Sequence, residues 1–357
     1  MTETEKRQET FKKFLIDHEV DAFLVSKPVN IFYLCGFSGT TAMFVFARDK
    51  RVLLTDPRYT ERAKEEVSFA EVESGRSILE GLKKAVTGLG IKTAAFESHF
   101  VSFELYKKME ARLAPLTLKP VSGAVEELRV VKEPGEVDLM KEAARISSAA
   151  FSHIVSFIKP GTREEEIATE LLIFMHRQGV QREAFDVIVA SGFRSAMPHA
   201  KTSAKEISPG DFVTIDLGVA YQGYYSDMTR TFVVGRASEK QRTVYELVRG
   251  AQALSLDSIS AGKTGAEVDK ISRDFVTKAG YGEYFLHGLG HGVGLEVHEK
   301  PLLGPKGSDV LRPGMVFTVE PGLYVSGFGG VRIEDMVVLE EEGIEVMTQF
   351  PKELMEI

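Results

Sequence analysis

The sequence predicts an α+β protein of two domains: an N-terminal α/β domain over residues 1–125 and a C-terminal, pseudo-twofold domain over residues 126–357. Three observations carry that prediction. A chain of 357 residues has the length of two ordinary domains. Up to about residue 113, short apolar runs alternate with amphipathic helical patterns, the rhythm of an α/β layer. From Asp138 to Leu339 the chain carries one pattern twice, at an offset of 101 to 104 residues.

In the first domain, Thr10 to Ile16 continues a charged amphipathic helix, and Asp21 to Ser26 is a short apolar strand. Ala42–Ala47 and Arg51–Thr55 pair across the polar turn at 48–50. Asp56 and Pro57 open a helix that runs to Glu66, with Asp as N-cap and Pro at the first helical position. Ile91–Glu97 is a further strand and Ser102–Leu113 a further helix. Glu97, His99 and Tyr59 are read as surface or packing residues, because no catalytic set gathers around them. The boundary falls between Lys119 and Gly135.

Beyond it a helix runs from about Glu136 to Ile158, with apolar residues at Val137, Met140, Ala144, Ile146, Ala150, Ile154 and Phe157. Pro134 can begin it, and Lys159-Pro160-Gly161 stops it. A second helix covers Arg163–Arg177. The second half repeats the pair as Gln241–Ile259 and Gly265–Ala279, and strands follow the helices in each half.

The repeated segments end in acids. Gly210-Asp-Phe-Val-Thr-Ile-Asp216-Leu-Gly218 is matched by Gly314-Met-Val-Phe-Thr-Val-Glu320-Pro-Gly322. Strand alternation puts Asp216 on one face with Thr214, and Glu320 on one face with Thr318. Val213, Ile215, Phe317 and Val319 then form the apolar side. Gly218 and Gly322 are expected to turn the chain back toward a second acid, Asp227 or Glu334. Folded face to face, the halves gather four carboxylates, which need cations between them.

An imidazole is available nearby. His287, His291 and His298 fall within twelve residues, among Gly288, Gly290, Gly292 and Gly294. The glycines argue against a helix and let backbone approach a crowded site. His199 is a further candidate that the residues alone leave open. Carboxylates with one imidazole suit a dinuclear hydrolytic centre with ions ~3.5–4 Å apart. Oxygen-dominated ligation suits Mn(II), Co(II), Fe(II) or Zn(II).

Composition narrows the class. Apolar residues make up 43% and charged residues 27%, which supports a sizeable core. A net charge of −8 disfavours nucleic acid or an anionic membrane as a partner. Cys35 is the single cysteine, so no intrachain disulfide forms and a reducing compartment is expected. The first ten residues lack the apolar core of a signal peptide, and no apolar run approaches the ~18 residues that span a bilayer. A cytoplasmic location is expected.

In these motifs and their order the chain resembles the pita-bread metallopeptidases: aminopeptidase P, prolidase (Xaa-Pro dipeptidase), methionine aminopeptidase and the related creatinase. The resemblance covers nearly the whole chain. Its catalytic pattern starts at about Val131, while Asn30–Phe37 and Asp56–Tyr59 resemble the creatinase-type N-terminal domain. Methionine aminopeptidases usually lack that domain. The resemblance implies Asp216, Asp227, His291, Glu320 and Glu334 as ligands of two divalent ions (Mn, Co, Zn or Fe). It implies that His298 faces the substrate, that His199 stabilises the tetrahedral intermediate, and that Glu320 also shuttles a proton. Tyr324 and Arg332 match supporting or substrate-side positions, and His287 lines the pocket.

The reaction implied is hydrolysis of an Xaa–Pro bond in short proline-containing peptides by a hydroxide bridging two metal ions. The implied assembly is a homodimer whose N-terminal domain limits substrate length. A dipeptidase must also recognise the carboxylate just beyond proline. Many relatives have Arg after His-Glu-Xaa-Pro, where this chain has Leu302, with Lys300, Arg194 and Lys201 as other cations. The expectation is therefore an Xaa-Pro aminopeptidase, with an Xaa-Pro dipeptidase as the alternative. A non-catalytic binding or chaperone module of this fold would have lost ligands, and this chain keeps them.

Overall fold

A computed structural model describes residues 2–67 and 69–357. The chain divides into two units, one running to Arg129 and the other spanning Val130–Ile357, a division four residues beyond the expected boundary.

The first unit runs α1 (Glu3–Asp17), β1 (Ala22–Val25), α2 (Pro28–Cys35), β2 (Ala42–Ala47), β3 (Arg51–Thr55), α3 (Thr60–Glu66), β4 (Glu71–Ser74), α4 (Ile78–Gly88), β5 (Thr93–Glu97), α5 (Phe103–Leu113), β6 (Thr117–Val121) and α6 (Glu126–Arg129). Its six strands form one sheet in the order β4-β3-β2-β1-β5-β6. β2 is antiparallel to both neighbours and the other pairings are parallel. One face, with Leu24, Val45 and Leu54, packs on Leu82 and Val86 of α4 and on Met109 of α5. On the other face Phe23 and Phe46 meet Phe11 of α1, with ring centroids 5.2 and 5.1 Å apart. Coverage on both faces makes the inner strands continuous apolar runs, so they are readable in the sequence.

The edge strands were not readable. β4 and β6 contain no fully buried position, so they carry no apolar run. Lys119-Pro120 lies inside β6 rather than in a connector; an edge strand tolerates Pro because it has an unpaired side. α2 and α4 were also missed. Pro28 at the start of α2, Gly36 in the left-handed region at its end, and the Ser77 cap of α4 were their signals. Asp56 caps a short 3₁₀ turn, Pro57–Tyr59, that leads into α3.

The second unit begins with α7 (Pro134–Ile154) and α8 (Glu164–Arg177), followed by β7 (Arg182–Glu183), β8 (Ile188–Ser191), β9 (Phe212–Leu217), β10 (Val219–Tyr221), β11 (Tyr224–Tyr225) and β12 (Met228–Val233). The second half then repeats the helix pair as α9 (Glu239–Ser258) and α10 (Gly265–Lys278). Its strands are β13 (Gly290–Gly292), β14 (Glu299–Leu303), β15 (Val316–Val319), β16 (Gly322–Val325), β17 (Gly329–Arg332), β18 (Asp335–Glu340) and β19 (Gly343–Val346).

The duplication is visible in the sheets. β9 lies between β8 and β12, and β15 lies between β13 and β18. Asp216 of β9 pairs with Thr229 of β12, and Val319 of β15 pairs with Asp335 of β18. Val213 and Ile215 belong to the core of the first half, Phe317 and Val319 to that of the second. Both acids therefore share the face opposite the core, as strand alternation requires. The expected turns sit elsewhere. The chain reverses at Gln222–Gly223 in the first half, where both residues have positive φ. In the second half it reverses around Gly327, between β16 and β17. Gly218 is a close approach instead: a Cβ there would lie 2.1 Å from the Ser226 carbonyl oxygen. Among the described residues no helix is long and apolar enough to cross a membrane.

Arg230 joins the halves. It is 1% exposed, donates to Asp335 at 2.7 Å, and also reaches the carbonyls of Thr229, Phe350 and Pro351. Burial alone would raise the Asp335 carboxyl, but Arg230 and Lys352 outweigh it and hold the group below its ordinary value. Arg230→Met is expected to destabilise the protein by about 3–5 kcal/mol, because a buried carboxylate loses its main partner. The urea unfolding midpoint measures this, and an unshifted midpoint would show the pair to be dispensable.

Candidate active site

The duplicated strands bring the acids to one cavity. Asp216 lies near the end of β9 and Asp227 just before β12; Glu320 follows β15 and Glu334 precedes β18. His291 is the middle residue of β13, beside β15. All five line a cavity of ≈840 Å³, together with His199, His287, His298 and Arg332. One ligand atom from each of Asp227, His291 and Glu334 fits within a mutual spread of 4.8 Å. His291 Nε2 is 3.6 Å from Asp227 Oδ2 and 3.4 Å from Glu320 Oε1.

The electrostatics are those of a cluster short of positive charge. Burial, and then Glu334, Asp216 and Glu320, push the Asp227 carboxyl well above its ordinary value. Burial, and then Glu320 and Asp216, do the same to Glu334. Glu320 is also raised, chiefly by burial. Asp216 Oδ2 accepts from Arg332 at 2.6 Å, while its Oδ1 is buried and has no hydrogen-bond partner. His291 Nδ1 lies 3.1 Å from the Gly292 carbonyl, to which it donates, leaving the Nε2 lone pair facing the acids. A buried oxygen without a partner, three carboxyls raised first by burial and then by neighbouring acids, and an oriented imidazole fit divalent cations.

The glycines around His291 act as expected, by close approach. A Cβ at Gly290 would lie 2.1 Å from the Thr318 carbonyl oxygen, and one at Gly292 would lie 1.9 Å from that of Lys300. β13 can therefore run against both neighbours only with glycine at these two places.

The remaining predicted residues take distinct positions. His298 is exposed on the cavity wall, its ring centroid 4.1 Å from that of His291. Desolvation, then His291 and His199, push its imidazole down to about 4. His199 is exposed on the same wall. His287 Nε2 is 2.9 Å from the Tyr324 hydroxyl, which accepts from Arg332 at 2.8 Å. Burial lowers the His287 imidazole and pushes the Tyr324 phenol up to about 12. Arg332, Tyr324 and His287 thus form a hydrogen-bonded chain from Asp216 to the cavity wall, with Tyr324 behind the wall.

Two threonines support the acids: Thr318, expected from strand alternation on one face with Glu320, and Thr229, which was not singled out. Thr229 donates to Glu334 Oε2 at 2.6 Å and accepts from Arg332 Nε at 3.0 Å. Thr318 accepts from the His291 amide at 3.1 Å and donates to Glu320 at 3.3 Å. Their signal was spacing: each lies two residues from an acid, which on a strand is the same face.

The chain is similar to known proteins over nearly its whole length. Residues 138–341 match the model of metallopeptidase family M24, and residues 7–131 match the creatinase/prolidase N-terminal domain. An Xaa-Pro dipeptidase of Pyrococcus furiosus is 38% identical over 356 residues, covering 98% of this chain and 99% of that one. The structure of an Xaa-Pro dipeptidase from Bacillus anthracis matches with a TM-score of 0.97 at 42% identity, over 99% of this chain and 100% of that one. An X-Pro aminopeptidase from Thermotoga maritima matches with a TM-score of 0.90 at 40% identity, over 95% and 98%. The chain belongs to metallopeptidase family M24: it has the pita-bread fold and is a peptidase that works with divalent metal ions.

Metal binding should therefore stabilise the fold. Adding Mn(II) or Co(II) to metal-depleted protein is expected to raise Tm, by the equivalent of about 4 kcal/mol at a thousandfold excess over Kd. A Tm that stays flat across the titration would contradict a cation site at these acids.

Proposed function

We propose that this member of family M24 hydrolyses the bond between an N-terminal residue and proline, and that free Xaa-Pro dipeptides are its preferred substrates. The names of the Pyrococcus and Bacillus anthracis relatives support the reaction. One observation carries the dipeptide preference. Of the three cations available for a substrate carboxylate, Arg194 is paired with buried Glu164 at 3.1 Å, and Lys300 lies 3.6 Å from Asp309. Lys201 is exposed on the cavity wall two residues from His199, and its ammonium has no ion pair among the described residues. It replaces the missing Arg at Leu302 as the cation to meet a carboxylate beyond proline.

Asp216, Asp227, His291, Glu320 and Glu334 would hold two divalent ions, which supply Lewis-acid polarisation of the scissile carbonyl and acidify water. Around them the side chains divide the work. Glu320 has a carboxyl raised by burial and is fixed by Thr318, so it is suited to accept the proton of water and pass it toward the proline nitrogen. His298, neutral at pH 7, and His199 face the cavity as N–H donors for the developing oxyanion. Arg332 and Tyr324 keep Asp216 and His287 in place.

The second reading, an Xaa-Pro aminopeptidase, draws on the cavity itself. Its ≈840 Å³ lies in the upper part of the ~300–1,000 Å³ range of small-molecule sites and leaves room beyond proline. The Thermotoga maritima relative bears that name.

Two experiments test the proposal. Glu320→Gln is expected to lower kcat by ~10²–10⁴-fold, the usual contribution of one general acid–base group, with little change in KM. A near-normal kcat would remove Glu320 from the proton path. Rates on Ala-Pro, Ala-Pro-amide, Ala-Pro-Ala and Ala-Ala then define the substrate. Ala-Pro should be preferred, and Lys201→Met should lower kcat/KM on Ala-Pro by ~10-fold or more, the scale of one lost hydrogen bond to a charged group. The same variant should leave Ala-Pro-amide unaffected. A wild-type preference for Ala-Pro-Ala would favour the aminopeptidase, and equal rates on Ala-Ala would overturn the proline assignment.

A further inference from the structure

We infer that Glu164 is the positioning residue for His199, holding both ends of the loop that carries it; the inference rests on the proposed substrate-facing role of His199. Glu164 is the first residue of α8 and is fully buried, far less accessible than its neighbours in the run Glu164-Glu-Glu166. Its Oε1 accepts from the Ser191 amide at 2.7 Å and from the Ser191 hydroxyl at 2.9 Å. Its Oε2 accepts from the Ser203 amide at 3.1 Å and from the Ser203 hydroxyl at 2.7 Å. Arg194 Nε lies 3.3 and 3.1 Å from the two oxygens. Ser191 ends β8 and Ser203 closes the loop, so one carboxylate joins the two ends of a segment with His199 between them.

The loop is held from other sides as well. The Arg194 guanidinium also donates to the Lys201 carbonyl, two residues from His199. Arg332 donates to the Pro198 carbonyl at 3.2 Å, and Gly330 donates through its amide to Ser195 Oγ at 2.8 Å. The backbone on each side of His199 is thus fixed by contacts that converge on Glu164 and on the Arg332 strand. The amides of Glu164 and Glu165 donate to Lys205 and Ser203 carbonyls, so the first turn of α8 grips the outgoing end twice. A carboxylate at this place is favoured by the helix terminus and by charge-assisted hydrogen bonds. No metal ligand takes part.

The test is a double-mutant cycle on the metal-loaded full chain, with Ala-Pro-amide as substrate, which offers Lys201 no carboxylate. Glu164→Gln keeps the size of the side chain but turns one acceptor into a donor that confronts either Ser191 or Ser203. It is expected to lower kcat/KM by roughly 10- to 10²-fold, the scale of a misplaced reacting group, with metal content unchanged by elemental analysis. Glu164→Asp keeps the charge but not the reach, and should not restore activity. In a His199→Ala background, Glu164→Gln should change kcat/KM by less than about twofold, because the residue it positions is gone. Ser203→Ala, a milder cut of the same clamp, should show a smaller loss that also vanishes in that background, and it serves if Glu164→Gln folds poorly. Fully additive losses would overturn the inference and leave the role of His199 standing. A His199→Ala variant with wild-type kcat/KM would overturn both.

Discussion

Everything in the catalytic unit answers one electrostatic constraint: Asp216, Asp227, Glu320 and Glu334 share a single cavity largely out of water. Three of these carboxyls are pushed upward by burial and by one another. The protein's own answer is partial. Arg332 pairs directly with Asp216 alone, and the second Asp216 oxygen is left without a partner. Desolvated acids at this spacing are stable as anions only with more positive charge than one guanidinium provides. The family's dependence on divalent cations follows from that shortfall.

Duplication is an economical way to build the cluster. Each half contributes one acid at the end of a central strand and one just before the partner strand, so a single local motif used twice gives four clustered carboxylates. The halves are fastened where the second acids lie: the Glu334 amide donates to the Thr229 carbonyl, and Arg230 reaches across to Asp335. The copies then diverge. Tyr225 stands two residues before Asp227, where the second half has Arg332, so the supporting cation comes from one side only. Each half nevertheless uses a buried acid on its second helix to hold a loop bearing a cavity histidine. In the second half Asp269 pairs with Arg273 and accepts from the Leu289 amide, while Arg273 donates to the Phe285 and His287 carbonyls. Glu164 and Asp269 do not occupy equivalent positions in the repeat, so the two devices are alike in effect and not in register.

Much of this was legible because it is periodic. Alternation along Phe212–Leu217 and Val316–Val319 assigned the acids to one face, and the repeat showed that the two faces belong together. Glycine spacing identified the crowded approach around His291. The illegible parts depend on contacts distant in sequence. Arg332 reaches Asp216 across 116 positions, and Glu164 gathers donors from 27 to 39 residues away, while its run of three glutamates looks like an exposed helix start. Gly218 and Gly322 misled as turn markers because a glycine required by close approach is indistinguishable in the sequence from one required by a turn. Edge strands β4 and β6 lacked the apolar signature that burial on both faces writes into β1, β2 and β3.

The split between a rigid cluster and its loops bears on how members of one family differ in substrate. The carboxylates and His291 are carried by strands or lie within one residue of a strand end, where hydrogen-bonded neighbours leave little freedom to change. Selectivity must therefore reside mainly in the loops that complete the wall. The loop from Ser191 to Ser203 carries His199 and, two residues further along, Lys201 on the cavity wall; in the proposed reading these face the scissile bond and the substrate's far end. One clamp thus sets the position of both. On the proposed reading, a sequence change at Lys201 weakens recognition of the substrate carboxylate and leaves the acid cluster and His199 in place, whereas a change at Glu164 disturbs recognition and chemistry together. Relatives with the same ligand set can on this basis diverge between dipeptides and longer peptides by substitutions at the loop tip, while the base of the loop stays fixed.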